Sequence, residues 1–348
     1  MHLSFRWFGA DDPIPLAYIR QIPGMVSVVT ALYDAPASQV WPRARLTAIK
    51  EQIEAVGLLF EVVESIPVHE DIKLGRPARD AYIDVYCQNL RLLGELGVSV
   101  LCYNFMPLFN WFRTDLAMAL PDGSTTMAYN HSEIEATPDP WSANLPAYWP
   151  LDDSPDELKA AYLSITEEAL WQNLAYFLQA IVPVAAEANV RLAMHPDDPP
   201  WSIFGLPRIL CNEDDLARLL RLVDSPYNGL TFCTGSLGAD PTNDLPRMIH
   251  RFGDRIHFAH CRNVRRTGER VFYESAHPIE YGDVDLPAVM KALYDVGFEG
   301  PLRPDHGRMI WGETGIPGYG LYDRALGAMY LRGLWDGILT GRSAAAHG

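Results

Sequence analysis

Four residues able to hold a transition metal each close a short apolar run. His195 ends Val190-Arg-Leu-Ala-Met-His, Cys233 ends Gly229-Leu-Thr-Phe-Cys, His260 ends Ile256-His-Phe-Ala-His and Asp305 ends Pro301-Leu-Arg-Pro-Asp. Two imidazoles, a thiolate and a carboxylate suit a divalent ion. The thiolate favours softer ions such as zinc or ferrous iron, and the carboxylate tolerates manganese. Any one of the four is ordinary alone, since a His or Cys at such a position is commonly a packed polar or small core residue. Four of ligand type at the same place in four successive runs form a pattern. His257 is the contrast: it lies three residues before His260, so strand alternation turns it to the opposite face, where it is structural or supports a ligand. Glu64 and Asp197 are candidates to replace one of the four.

Other residues able to do chemistry surround this group. His306 follows Asp305 directly and leaves the strand into a loop, where an acid or base can stand. Tyr319 lies in Gly315-Ile-Pro-Gly-Tyr-Gly320, between glycines that let backbone approach closely. That turn lacks the spacing and strand-to-helix setting of a dinucleotide fingerprint. Arg262, Asn263 and Arg303 flank the ligand candidates, and a guanidinium pairs bidentately with a carboxylate. His69 and Asn104 end earlier runs and are expected on the same rim. Neither a Gly-x-Ser-x-Gly elbow nor a Gly-x₄-Gly-Lys-Ser/Thr phosphate loop is present, so serine-hydrolase and phosphate-loop chemistries have no support.

Residues so far apart in sequence need a fold that brings strand ends together. Short β-rich runs at 3–8, 25–32, 58–66, 98–105, 190–195, 229–233, 255–260 and 301–305 alternate with helical stretches at 42–55, 78–96, 157–188, 213–223 and 286–296. Pro42 suits a helix entrance, and Asp153-Ser154-Pro155-Asp156 reads as a capping-type start for the third helix. Eight strands alternating with helices predict a closed (β/α)₈ barrel, with an open doubly wound sheet as the alternative of identical local grammar. In a parallel barrel the C-terminal ends of consecutive strands share one rim, so the four ligand candidates converge without any local motif. A single domain spans 1–342, and residues 343–348 form a flexible tail. Long insertions follow the fourth and seventh runs, at 106–153 and 262–283. The first is rich in aromatic residues, including Trp111, Tyr129, Trp141, Tyr148 and Trp149. Their length suggests functional lids or oligomer contacts over the C-terminal face.

Composition narrows the function. Hydrophobic residues make up 48% of 348, so a large core can form. Lys and Arg total 28 against 44 Asp and Glu, a net charge of −16. A nucleic-acid partner is not expected, because phosphate neutralisation needs an extended basic surface and the one basic cluster is Arg262, Arg265, Arg266 and Arg270. An anionic substrate would meet an unfavourable overall field, so its site must supply local cations. Five cysteines without a Cys-x-x-Cys pair suit free thiols in a reducing cytosol. The N-terminus has no signal-peptide pattern, and no apolar stretch approaches the roughly 18–20 residues that span a bilayer. A cytoplasmic protein without a membrane partner is expected, and a homo-oligomer, dimer or higher.

Over essentially its whole length the sequence resembles bacterial mannonate dehydratases. The resemblance is carried in order by Phe5-Arg-Trp-Phe-Gly9, Ile22-Pro-Gly24, Glu64-Ser-Ile-Pro-Val-His-Glu-Asp-Ile-Lys73, Cys102-Tyr-Asn-Phe-Met-Pro107, Met194-His-Pro-Asp-Asp-Pro-Pro200, Phe232-Cys-Thr-Gly-Ser236 and Arg303-Pro-Asp-His-Gly307. Cys261, between His260 and Arg262, departs from the aliphatic residue expected there and adds a thiol open to oxidation. The resemblance implies a xylose-isomerase-like barrel that binds manganese, with Fe²⁺, Co²⁺ or Zn²⁺ as alternatives. It implies dehydration of D-mannonate to 2-keto-3-deoxy-D-gluconate in hexuronate breakdown. It carries the metal-ligand role to His195, Cys233, His260 and Asp305, and the acid/base roles to His306 and Tyr319. Such chemistry needs all of these groups, because the C2 proton is weakly acidic and the C3 hydroxyl leaves poorly. Two alternatives are a metal-dependent sugar isomerase or epimerase on the same barrel, which the thiolate speaks against, and a non-catalytic sugar-acid binding protein.

Overall fold

A computed structural model describes residues 1–137 and 155–345. Eight parallel strands close into a barrel: β1 (His2–Arg6), β2 (Met25–Thr30), β3 (Leu59–Glu64), β4 (Val100–Tyr103), β7 (Arg191–Met194), β8 (Asn228–Cys233), β9 (Ile256–His260) and β12 (Pro301–Arg303). Closure comes from β1 pairing with β12, with Leu3 opposite Leu302. The barrel predicted from alternating runs is therefore correct, and the open-sheet alternative is excluded.

Side-chain alternation explains how the barrel is filled. Val29, Val62, Val100, Cys102, Ala193 and Phe258 form a small cluster of their own, separate from the large core between strands and helices. Two residues further along the respective strands stand Glu64, His195 and His260, so the same inward register that packs the apolar cluster presents polar groups at the C-terminal end. His257 lies where the β8–β9 register shifts, between Ile256 opposite Leu230 and Phe258 opposite Thr231. Its Nδ1 meets the Leu192 carbonyl at 2.7 Å, and it lines a cavity with Glu61, Arg191 and Gly300 at the opposite mouth.

Both insertions carry strands that were not anticipated. β5 (Asp115–Ala119) and β6 (Thr125–Asn130) follow β4, and β10 (Asn263–Gly268) and β11 (Val271–Ser275) follow β9. Asp122-Gly123 makes the turn of the first hairpin, with Gly123 at φ 83°, the backbone conformation such turns demand. The hairpins join through β6 and β11 into one antiparallel sheet of order β10-β11-β6-β5 above the C-terminal face. The loop after β12 is tied to it: Met309 N donates to Thr125 O at 2.8 Å and Thr125 N to Met309 O at 3.1 Å. Trp141, Tyr148, Trp149, the start Asp153-Ser154 and the end of the tail at 346–348 lie outside the described residues.

The helix expected over 157–188 is two helices, Pro155–Tyr162 and Glu167–Ala188. The break has a local cause. Thr166 caps the second helix, its hydroxyl accepting from Ala169 N at 3.1 Å, and exposed Leu163 precedes it. The span Glu167–Glu187 is long and apolar enough to cross a membrane, contrary to the expectation from sequence. Its apolar residues have another use: Leu170, Trp171, Leu174, Phe177, Leu178, Ile181 and Val182 are buried in the main core.

Candidate active site

The ends of β7, β8, β9 and β12 bring the ligand candidates together. His195 directly follows β7, its N–H donating to Tyr103 O at 2.7 Å, and Cys233 and His260 are the last residues of β8 and β9 in direct register. Asp305 lies two residues past β12 in a left-handed turn, φ 55°, which a short polar side chain tolerates. His195 Nε2 and His260 Nδ1 face each other at 3.2 Å, and ligand atoms of His195, Cys233 and His260 all lie within 4.8 Å of one another. Asp305 Oδ1 is 3.7 Å from His260 Nδ1, and its Oδ2 is 3.5 Å from Cys233 Sγ.

These spacings fit a shared metal ion. Bonds of about 2.0–2.3 Å to one centre put neighbouring donors roughly 3–3.7 Å apart. Supporting contacts fit as well. Ser236 offers Cys233 Sγ its Oγ–H at 3.1 Å and its N–H at 3.4 Å, two donors suited to a thiolate. Arg303 Nε donates to His260 Nε2 at 3.0 Å, and Glu64 Oε2, 3.5 Å from the same nitrogen, is a buried oxygen with no hydrogen-bond partner among the described residues. Arg303 Nε can only donate, so Nε2 accepts in that contact, and Nδ1 is the ring nitrogen that faces His195 and Asp305. Glu64 also forms a compact group with Cys102 and His260. Asp197 is elsewhere: its Oδ2 accepts from Ile209 N at 2.6 Å and Leu210 N at 2.9 Å, anchoring a loop.

Beside the ligand candidates stand a histidine and a tyrosine in contact. His306 Nε2 and Tyr319 OH are 2.9 Å apart, both buried, with the Trp111 ring tilted against them at ring-centroid distances of 5.4 and 6.4 Å. Burial lowers the His306 pKa, and the Asp305 carboxylate only partly opposes it, so the imidazole rests neutral. Burial likewise raises the Tyr319 phenol against the pull of Arg6 and Arg303, so it rests protonated. A cavity lined by Arg6, Asn104, Trp111, His195, Arg303, Asp305, His306 and Tyr319 opens onto both groups.

The remaining sequence candidates divide. Asn104 and Arg303 line this cavity. Arg262, expected to meet substrate, is buried and committed to three carboxylates: Asp305 Oδ2 at 2.5 Å, Asp198 Oδ2 at 2.8 Å and Glu274. Asn263 is a structural bridge, accepting from Val284 N at 2.9 Å and donating to His277 O at 3.3 Å. His69 caps the helix Glu70–Leu74 by accepting from Asp71 N at 3.0 Å, and its ring stacks on Tyr82. None of these three is among the described residues lining the cavity.

Sequence reasoning missed a lattice of buried ions beneath the pair. Arg113 binds Asp198 through both terminal nitrogens, at 2.8 and 3.0 Å, and Glu274 at 2.5 Å. Glu274 Oε1 reaches His306 Nδ1 at 3.4 Å. Burial pushes Glu274 up, but the Arg262 and Arg113 guanidiniums outweigh it and hold the carboxyl at about 2. Arg6 was missed too, though alternation along β1 would have found it. Nothing local announces Glu274, which arrives on β11, or Arg113, which lies two residues before β5.

The sequence matches the model of the UxuA family of D-mannonate dehydratases over residues 1–344. It is 55% identical over 344 residues to mannonate dehydratase 2 of Halalkalibacterium halodurans, covering 97% of this chain and 99% of that one. It is 54% identical over 352 residues to mannonate dehydratase of Thermotoga maritima, covering 97% and 98%. The crystal structure of mannonate dehydratase from Streptococcus suis serotype 2 superposes with a TM-score of 0.89 at 47% identity, covering 99% and 95%. A xylose isomerase-like TIM barrel from Mycobacterium smegmatis, at a TM-score of 0.54, 15% identity and coverage of 92% and 87%, shares the fold alone. Matched from end to end by the family model and by relatives of more than half identity, the chain belongs to the D-mannonate dehydratase family.

Proposed function

We propose that the chain dehydrates D-mannonate to 2-keto-3-deoxy-D-gluconate as a metal-dependent hydro-lyase, with His195, Cys233, His260 and Asp305 holding the ion. One observation carries the chemistry: a neutral imidazole and a protonated phenol, 2.9 Å apart, open into the same cavity as His195 and Asp305. Removing water from adjacent carbons needs a base for the C2 proton and an acid for the C3 hydroxyl, within reach of one bound substrate. His306 Nε2 can accept a proton and Tyr319 can give one, so the pair takes up the C2 proton and returns one to the departing hydroxyl. When bound, manganese or a similar divalent ion supplies a Lewis acid for the charge that develops beside the substrate carboxylate. Glu274 orients His306 through Nδ1, and Trp111 covers the pair.

The site's charge suits an anionic substrate despite the acidic surface. Arg6, Arg113, Arg262 and Arg303 stand against Glu64, Asp198, Glu274 and Asp305, so the centre is balanced while the whole chain carries −16. The end-to-end family match favours dehydration over the isomerase, epimerase and binding-protein alternatives. Manganese is favoured among the metals by the carboxylate in the set, with Fe²⁺, Co²⁺ and Zn²⁺ the ions to compare. A cytoplasmic homo-oligomer remains the expected form. Incubation of manganese-loaded protein with D-mannonate and, separately, D-gluconate tests the activity. A 2-keto-3-deoxy acid from D-mannonate is the expected product, and its absence would overturn the assignment.

A further inference from the structure

We propose that Arg6 joins Arg303, one of the arginines that the sequence offers for this role, to form the docking site for the substrate carboxylate. Two observations carry this. Arg303 is only 2% exposed, yet its terminal NH1 has no hydrogen-bond partner among the described residues, and neither has the buried Nε of Arg6. Both residues line the cavity that His306 and Tyr319 face. A buried guanidinium donor left unpaired is costly, so its retention implies a ligand that completes it.

The two cations are held as a unit. Arg6 NH1 and Arg303 NH2 bind the same oxygen of Glu64, at 2.6 and 3.0 Å. Glu64 therefore supplies one negative charge to two guanidiniums. Arg303 also reaches Asp305 Oδ1 at 2.8 Å, but Asp305 is shared with Arg262. One carboxylate bridging the free donors would satisfy both, in the charge-assisted geometry that arginine prefers. The chain's net charge of −16 gives an anion no long-range attraction, so local cations must supply it. The arrangement also orients the substrate: Arg6 lies over the Tyr319 ring, its guanidinium carbon 5.7 Å from the centroid, so a carboxylate held there brings its neighbouring carbon toward the acid–base pair.

The inference rests on the proposed dehydration, and a binding experiment separates the two. Calorimetry on the manganese-loaded full-length protein would compare 2-keto-3-deoxy-D-gluconate with its uncharged C1 carboxamide. The probes differ only in the group that the two arginines would read. The wild-type protein should prefer the carboxylate by at least about 30-fold. Arg6→Gln should erase most of that preference while changing amide affinity less than about 3-fold, and Arg6→Lys should restore part of it. Arg303→Gln repeats the test where it folds, and the Arg6 series decides where it does not. Equal losses for both probes, or no preference in the wild type, would overturn the carboxylate site. Carboxylate preference without turnover of D-mannonate would instead overturn the dehydration and leave the site standing.

Discussion

Replacing Glu274 by Gln tests whether the buried ion lattice is an electrostatic foundation or passive packing. The side chain is 1% exposed and bound to Arg113 at 2.5 Å and to Arg262. Its folded pKa of about 2 lies below the ordinary 4.5, despite burial that alone would raise it. A depressed folded value means stability that is fully present above the unfolded pKa and is lost as pH falls toward 2. A gap of roughly 2.5 units corresponds to about 3 kcal/mol at pH 7 and about 2 kcal/mol at pH 3.5. Leaving buried cations partly uncompensated costs a similar 3–5 kcal/mol in comparable sites. For a chain of this length, about 3 kcal/mol lowers Tm by roughly 4–5 °C. Urea unfolding of wild type and Glu274→Gln at pH 7 and pH 3.5 measures both figures. The difference should be near 3 kcal/mol at neutrality and shrink on acidification. A difference below about 1 kcal/mol, or one independent of pH, would refute the reasoning.

Three further outcomes follow from the site. His306→Asn should keep its full metal content and lose about 10²–10⁴ in kcat, because only a proton-transfer group is removed; near-wild-type turnover with metal bound would exclude His306 from the acid–base pair. EDTA should abolish turnover and added manganese restore it, and activity that survives complete chelation, checked by metal analysis, would sink the metal assignment. Ser236→Ala removes the hydroxyl 3.1 Å from Cys233 Sγ and should weaken metal retention roughly 10–100-fold, whereas Cys233→Ala should cost more than that. Competition against a coloured chelator reads both, and equal retention in all three proteins would remove Cys233 from the ligand set.

How much of this was legible in the sequence depends on which contacts alternation governs. His195, Cys233 and His260 could be placed because inward register repeats every second residue, and a closed barrel makes the ends of neighbouring strands adjacent. The same rule covers Arg6, four residues after His2 on β1, although its chemistry becomes evident only once Arg303 stands beside it. Glu274 and Arg113 obey no such rule. Glu274 reaches His306 and meets Arg113 because β6 pairs with β11, with Tyr129 opposite Phe272, across more than a hundred intervening residues. Each insertion taken alone is only a long connection, and neither hairpin announces its partner.

Arg262 shows a different limit. The sequence places it beside His260 and offers it a carboxylate, and the carboxylates it meets in the structure are the protein's own, which a guanidinium binds as readily as a substrate's. Three buried acids already engage it, so it serves Asp305 and the lattice rather than the cavity. That exchange of roles has a physical logic. Asp305 is pulled by Arg262 on Oδ2 and by Arg303 on Oδ1, and it lies within 3.7 Å of both His260 and His306. Burial would raise its pKa, yet the surrounding cations hold it well below the usual carboxylate range, so it stays ionised where a metal ligand must. The arginine beneath Asp305 maintains its charge, while the one beside it keeps a donor free for the cavity. One carboxylate thereby joins the ligand candidates, the acid–base pair and the proposed anion site.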